Sequence, residues 1–406
     1  MSVREKVCSF GNLYRATRKA RRNVAWKDSV ARFSNHSLRN VYYLKRDLDN
    51  NKYQISPYSY FDIYEPKHRE VCSTRFKDRV FQKSLCDNYL YKTITKSFIP
   101  NNYACQIGKG TDKARKCLEQ MLIGKRKWYA LKVDIHNYFG STNHELLIKC
   151  LSKLIDDEWA LSEVIRIVDS FPKGIGLGSQ VSQLMQLAYL NELDHLITEK
   201  WHIKHYVRYM DDFILIHEDK AYLHKLLKKI YFVFKDYKLE LNTKKTQVIS
   251  LKNPIQFLGF SYLVKENGKV SKKLLPSNIK RRRRKLKRQA KTLATKDIEI
   301  SYQTWRAFAK KSNSRGAILK MDKFKEEIIM SKELIELRGI IGKERAETEF
   351  AKDTDERCLK INEAVCKEFS LSTQIAILRK ALAKMGCDDP DFVVFNNRVE
   401  EIKKEI

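Results

Sequence analysis

Asp211 and Asp212 stand side by side between two apolar runs, Tyr206-Val207 before them and Phe213-Ile214-Leu215-Ile216 after. Strand, two-acid turn, strand predicts a hairpin that presents two carboxylates at the end of a sheet. A third acid, Asp134, lies 77 positions upstream of Asp211, on the β-rich run Ala130-Leu131-Lys132-Val133-Asp134-Ile135. Two strands paired in one sheet would bring Asp134 and Asp211 together. Converging carboxylates suit phosphoryl transfer, where positioning and charge neutralisation do most of the work. They can share two divalent cations roughly 3.5–4 Å apart, one for an attacking hydroxyl and one for the leaving group. Hard oxygen ligands favour Mg²⁺, with Mn²⁺ as its substitute. Asp134 and Asp211 are the expected bridging ligands, with Ile135 and Asp212 beside them; Asp212 is the weaker member, since neighbours on a turn often point apart. Two unrelated surface acids at strand ends are the competing reading.

The elements that must hold these acids read as α+β, an antiparallel sheet backed by helices. Residues 61–71 predict a hairpin that carries Lys67 and Arg69 outward, and a helix follows from Asp78 to about Lys96. A glycine-broken turn leads into a helix from about Asp112. The 128–135 strand precedes helices from His144 to about Phe171. A glycine-rich loop over 174–183 then opens a helix expected from Leu184 to about Lys200. Beyond the two-acid hairpin come a helix over Tyr222–Tyr237 and a short strand at Phe257-Leu258-Gly259-Phe260-Ser261-Tyr262. From Asn278 the chain turns strongly basic, with Arg281, Arg282, Arg283 and Arg284 in succession.

The chain of 406 residues exceeds the usual single-domain size, so two or three domains are expected. Its formal charge of +31 exceeds what solubility needs and points to a polyanionic partner. Residues 331–406 hold 14 Lys and Arg against 16 Asp and Glu, so the positive excess lies in residues 1–330. The cluster Arg15, Arg18, Lys19, Arg21 and Arg22 predicts helices that grip RNA, or a solvated basic face. The nine cysteines show no CxxC pair and no zinc spacing, as expected of scattered intracellular thiols. No apolar run reaches the ~20 residues of a membrane span, and no signal-peptide pattern opens the chain. A soluble, cytoplasmic protein without a membrane partner is expected.

Taken in order, these blocks resemble a reverse transcriptase across roughly residues 55–325. Lys67 and Arg69 match the fingers block that contacts the incoming triphosphate. Asp134 through Phe139 matches motif A, Gly178 through Gln183 motif B, and Tyr209-Met210-Asp211-Asp212 motif C. Leu241-Asn242 with Lys245-Thr246 resembles motif D, and Phe257-Leu258-Gly259-Phe260 the primer grip of motif E. The resemblance implies a right-hand polymerase fold, with fingers and palm over 56–270 and a helical thumb over 271–330; charge and helical spacing add a basic helical extension over 1–55 and a helical appendage over 331–406, which the family core does not match. It implies an RNA-directed DNA polymerase that takes dNTPs, a structured RNA template and an RNA/DNA hybrid, the last gripped by Arg281–Arg284. Tyr209, Leu177, Gly178, Ser182 and Gln183 would line the nucleotide site, and Phe139 would close off the sugar 2′ position. Phe139 also reads as a core aromatic, and Ser182 as a helix cap. Lys245 would stabilise the leaving pyrophosphate as charge or proton donor, or stand as an exposed lysine.

Motif B opens here on Leu177-Gly178 and closes on Ser182-Gln183, where group II intron and retroviral-type enzymes carry Gln-Gly and Ser-Pro. This GxxxSQ form resembles the reverse transcriptases of diversity-generating retroelements, which copy a template-repeat RNA unfaithfully at adenines. A small helical accessory protein is the partner that family implies. Ser301–Asn313 resembles the end of phage-borne relatives. No HNH endonuclease, RNase H domain or retron signature is evident. An antiphage defence-associated reverse transcriptase and a polymerase-derived RNA-binding scaffold without catalysis are the alternatives.

Overall fold

The computed structural model describes residues 1–64 and 68–347, with side chains as far as 332 and isolated positions beyond. Two compact units divide the chain. Met1–Leu258 with Tyr262–Ser271 form the first, and Gly259–Ser261 with the described residues from Lys272 onward form the second.

The first unit opens with four helices, α1 (Val3–Cys8), α2 (Phe10–Ala20), α3 (Asp28–Asn35) and α4 (Ser37–Asp49). Ser2 and Glu5 close a reciprocal capping box on α1. Helix α2 buries Leu13, Ala16 and Thr17 and leaves Arg15, Arg18 and Lys19 exposed, an amphipathic division that puts the predicted basic cluster in solvent. The predicted hairpin forms from β1 (Ser59–Ile63) and β2 (Arg69–Ser73), in register from Ser59↔Ser73 to Ile63↔Arg69. Lys67 lies outside the described residues. The helix expected over 78–96 is α5 (Phe76–Leu85) and α6 (Tyr91–Thr95), joined by a π-helical turn at Cys86–Leu90.

After α7 (Thr111–Leu122) comes β3 (Tyr129–Val133), then α8 (His144–Ser152) and α9 (Glu158–Asp169). Helix α10 (Gln180–Tyr189) starts four residues earlier than the pattern predicted, because Ser179 caps it by accepting from the Val181 and Ser182 N–H groups. The cap is therefore Ser179 and not Ser182. The helix also breaks at Leu190, continuing as α11 (Asn191–His195) and a π-helical turn at Leu196–Lys200. Strands β4 (His205–Tyr209) and β5 (Asp212–His217), helix α12 (Lys220–Asp236) and β6 (Gln247–Ser250) complete a four-stranded antiparallel sheet of order β4-β5-β3-β6. One face of it, carrying Leu131, Val133, Tyr206, Phe213 and Leu215, packs into the same apolar core as α8 to α12. The alternation of the strands dictates this division.

The strand predicted at 257–262 is two strands, β7 (Ile255–Phe257) and β8 (Phe260–Val264), in a three-stranded sheet with β9 (Val270–Leu274). Leu258 and Gly259 take φ of 44° and 87°, the two positive values a type I′ turn requires. An apolar sequence at the tip hid that turn. In the second unit α13 (Pro276–Thr292), with proline in its first turn, packs with α14 (Thr295–Ala309) and α15 (Arg315–Glu347) around Leu286, Ile298, Tyr302 and Met321. Helix α15 crosses position 330 without a break. Ile375, Ile377, Leu378 and Leu382, whose spacing predicts a further helical stretch, lie outside the described residues.

Candidate active site

The ladder between β3 and β5 ends at Val133↔Phe213. One step further along that register Asp134 lies across from Asp212, which opens β5. Asp211 occupies the two-residue turn from β4 to β5, where Tyr209 pairs with Asp212. The central strands of one sheet thus bring all three acids to one end. Met210, the other turn residue, has a φ of 57°, a left-handed conformation that costs a non-glycine residue about 1–2 kcal/mol.

The electrostatics carry the mark of crowding. Burial raises the Asp211 pKa and the nearby Asp134 carboxylate adds to it, against the pull of Lys245 and Arg69. Asp212 is pushed up to about 6, first by burial, with Asp211 and Asp134 adding and Lys132 opposing. The Asp212 Oδ1 atom is buried and has no hydrogen-bond partner among the described residues. Lys132 Nζ approaches it only to 3.5 Å and donates instead to the Gln256 carbonyl at 2.7 Å. Three carboxylates share a corner where burial outweighs the pull of Lys132, Lys245 and Arg69 on Asp211 and Asp212.

Asp134 is held by the segment after α12. Its N–H donates to Thr246 Oγ1 at 3.3 Å, its carbonyl accepts from the Asn242 N–H at 2.9 Å, and its Oδ2 accepts from Lys245 Nζ at 2.6 Å. Ile135, buried, forms an isolated antiparallel bridge with Leu241. Among the described residues no group of three His, Cys, Asp or Glu side chains forms a metal cage.

The glycine-rich loop packs between the Phe139-Gly140 segment and the β1–β2 hairpin. Gly174, at φ 59°, approaches the Phe139 carbonyl so closely that a Cβ would stand 2.5 Å from that oxygen. Gly178, at φ 138°, would place a Cβ 2.6 Å from the Cys72 carbonyl oxygen. The Leu177 carbonyl accepts from the Cys72 N–H at 3.0 Å, which ties β2 to the loop just before Gly178. Gln183 Oε1 accepts from the Cys105 thiol at 3.3 Å. Ser182 is fully buried, and its Oγ has no partner among the described residues. Phe139 is half-buried against the core. Tyr209 is half-buried too, its pKa raised by burial with Cys105 adding. Arg69 is exposed at the start of β2.

In the expected primer grip, Phe257 ends β7, and the Leu258 carbonyl accepts from Arg115 Nε and Nη2 at 3.1 and 2.9 Å. Gly259 and Phe260 belong to the second unit, where the Phe260 ring stacks on Phe308. Of the four arginines expected to grip nucleic acid, Arg281, Arg283 and Arg284 are exposed on α13. Arg282 is not: it is 5% exposed, donates to Ser301 Oγ at 3.1 Å and lies over the Tyr302 ring. Helical periodicity explains the correction, since Arg282, Leu286 and Gln289 fall on the buried stripe.

Sequence reasoning missed Lys132, Asn242, Thr246, Asp194 and Arg208 as supports of the acids. One signal was available: Arg208 is a lone charge within the apolar run of β4, where a buried guanidinium demands an acid. The Asp194–Arg208 pair, both side chains wholly buried, is that answer.

Residues 65–262 match the family described as reverse transcriptase (RNA-dependent DNA polymerase). No match was found among curated proteins. Among solved structures, telomerase from Candida albicans with a TWJ fragment of telomeric RNA is similar at 11% identity and TM-score 0.43, over 87% of this chain and 67% of that one. Apo telomerase from Candida tropicalis is similar at 14% identity and TM-score 0.40, over 84% of this chain and 69% of that one. Its form truncated from the C-terminal domain gives 16% identity and TM-score 0.40, over 58% and 60%. Residues 65–262 thus match a reverse transcriptase family, and that match supports RNA-directed DNA polymerase activity.

Proposed function

We propose that this polymerase copies a structured RNA into cDNA at a two-metal centre held by Asp134, Asp211 and Asp212, with the mixed α/β body serving as fingers and palm and the basic helices of the second unit as thumb. The observation that carries the reading is the convergence of three carboxylates with Asp212 Oδ1 buried and unpartnered. Such an orphaned acceptor fits a cation. Mg²⁺ takes one or two carboxylates and completes its shell with water and substrate phosphates. Bound there, divalent ions would ease proton loss from the attacking hydroxyl and offset the negative charge that develops on the leaving pyrophosphate.

The protein's own side chains do the rest. Arg69, close enough to influence Asp211, and Lys67 take the triphosphate. Lys245 neutralises the pyrophosphate, and Phe139 bars a ribose 2′-hydroxyl. Leu177, Gly178, Ser182, Gln183 and Tyr209 shape the nucleotide pocket, while Leu258 and its neighbours hold the primer end. Arg281, Arg283 and Arg284 bind phosphates of the hybrid.

We read the subtype as that of diversity-generating retroelements, acting in the cytoplasm with a small helical accessory protein. Leu177 before the motif B glycine supports this. An apolar side chain there offers the nucleotide only contact, and apolar contact distinguishes isosteric competitors poorly. Extension of a primer on RNA, with and without Asp211→Asn, tests the polymerase centre: extension must vanish in the variant. Leu177→Gln tests the subtype, and equal misincorporation opposite adenine in both proteins would rule relaxed selection out.

A further inference from the structure

We propose that Arg208 is the positioning residue of the two-acid turn: its guanidinium holds the Met210 carbonyl and so fixes where Asp211 and Asp212 stand. The proposal rests on the two-metal reading above. Arg208 lies on β4, one residue before Tyr209, and is wholly buried. Its Nε donates to Asp194 Oδ1 at 2.7 Å and its Nη2 to Asp194 Oδ2 at 2.5 Å. Nη2 also donates to the Leu187 carbonyl at 3.2 Å, and Nη1 to the Met210 carbonyl at 3.2 Å. One planar group therefore joins α11, the motif B helix α10 and the tip of the catalytic hairpin. The Tyr206 hydroxyl donates to Asp194 Oδ1 at 2.6 Å and fixes the carboxylate in turn.

Two arguments separate positioning from mere packing. A buried ion pair gains little over apolar side chains of the same volume, so packing alone gives no reason for one here. Geometry does. Met210 takes the positive φ, 57°, that the two-residue β4–β5 turn imposes, and its carbonyl is the atom that Nη1 takes. Lysine cannot reproduce this, because its single ammonium lacks the fork that reaches a carboxylate and two carbonyls in different directions.

The test uses the full chain on a primer annealed to RNA, with Arg208→Lys as the main variant. The kcat for one dNTP should fall about 10- to 100-fold, the scale of a small misplacement of reacting groups. The KM for the dNTP should stay within about threefold, as for an interaction needed only in the transition state. Mn²⁺ affinity of the protein without nucleic acid, read by electron paramagnetic resonance, should weaken about tenfold. Tyr206→Phe removes a hydrogen bond from the same carboxylate but none from Met210. It should lower the melting temperature and leave kcat and Mn²⁺ binding intact. Retained kcat and Mn²⁺ affinity in Arg208→Lys would overturn the proposal. So would loss of kcat in both variants in proportion to their melting temperatures. If Arg208→Lys does not fold, the double variant Asp194→Asn with Arg208→Gln, which buries no charge, decides by the same two readouts. A parental protein that extends no primer would count against the polymerase reading alone, since Mn²⁺ binding still reports on the turn.

Discussion

Replacing Asp212 by asparagine should stabilise the metal-free protein while abolishing synthesis. The Asp212 carboxyl titrates at about 6 instead of 3.8, mainly because burial disfavours its charge. Each tenfold in that equilibrium is 1.36 kcal/mol, so the ionised side chain costs the folded state about 3 kcal/mol. The sign follows from linkage. A carboxyl whose folded pKa is raised destabilises the native state as pH climbs from about 4 through 6, and the full penalty stands above that window. Asparagine keeps the shape without the charge. Its advantage should be near zero at pH 4 and approach 3 kcal/mol at pH 7.5, worth about 5 °C of melting temperature for the first unit. Calorimetric melts of both proteins at the two pH values, in chelator, measure it. Added Mn²⁺ should raise the melting temperature of the parental protein and do much less for the variant. A variant that melts lower than the parent at pH 7.5, or by the same margin at both pH values, would refute the picture of an under-compensated acid.

Three other perturbations test neighbouring parts of the site. Lys245→Met removes the ammonium 2.6 Å from Asp134 Oδ2, and single-turnover incorporation should slow about 100-fold if the lysine serves the pyrophosphate, with primer–template affinity unchanged in a filter-binding assay. Phe139→Ala should reduce the preference for dNTP over rNTP by about tenfold or more, read as the ratio of kcat/KM values. Gly178→Ala forces a Cβ to within 2.6 Å of the Cys72 carbonyl, which should cost about 1–3 kcal/mol in a denaturant melt and loosen the β1–β2 hairpin against the glycine-rich loop.

Much of the site was legible because its chemistry leaves few choices. Strand patterning flanks both groups of acids, so the meeting of Asp134, Asp211 and Asp212 at one end of a sheet could be read from type and position. The ladder β3–β5 then follows from alternation. The helix starting at Gln180 was misplaced because its cap, Ser179, sits inside a glycine-rich loop where serine carries no distinctive signal. The hairpin at Leu258-Gly259 was hidden because leucine rarely accepts a positive φ. Arg282 was assigned to solvent with its three neighbours because a run of arginines erases the polar–apolar contrast on which helical periodicity depends.

The supports were harder to read than the acids, and the reason is physical. A metal ligand must be a particular oxygen at a particular place, whereas a strand end can be steadied by any donor that reaches it. Here the main chain of Asp134 is held by Thr246 and Asn242, and the turn by Arg208. Lys132 leans toward Asp212 without satisfying it. None of these belongs to a pattern fixed by reaction chemistry, so each is visible only when distant segments meet. Their common property is restraint. Acids that repel one another and lie largely out of water would spread apart or take up protons if the backbone allowed it. A sheet interior, a stapled loop and a buried guanidinium prevent the spreading. The raised pKa values of Asp211 and Asp212 record the strain that remains, and a divalent cation is the partner best able to relieve it.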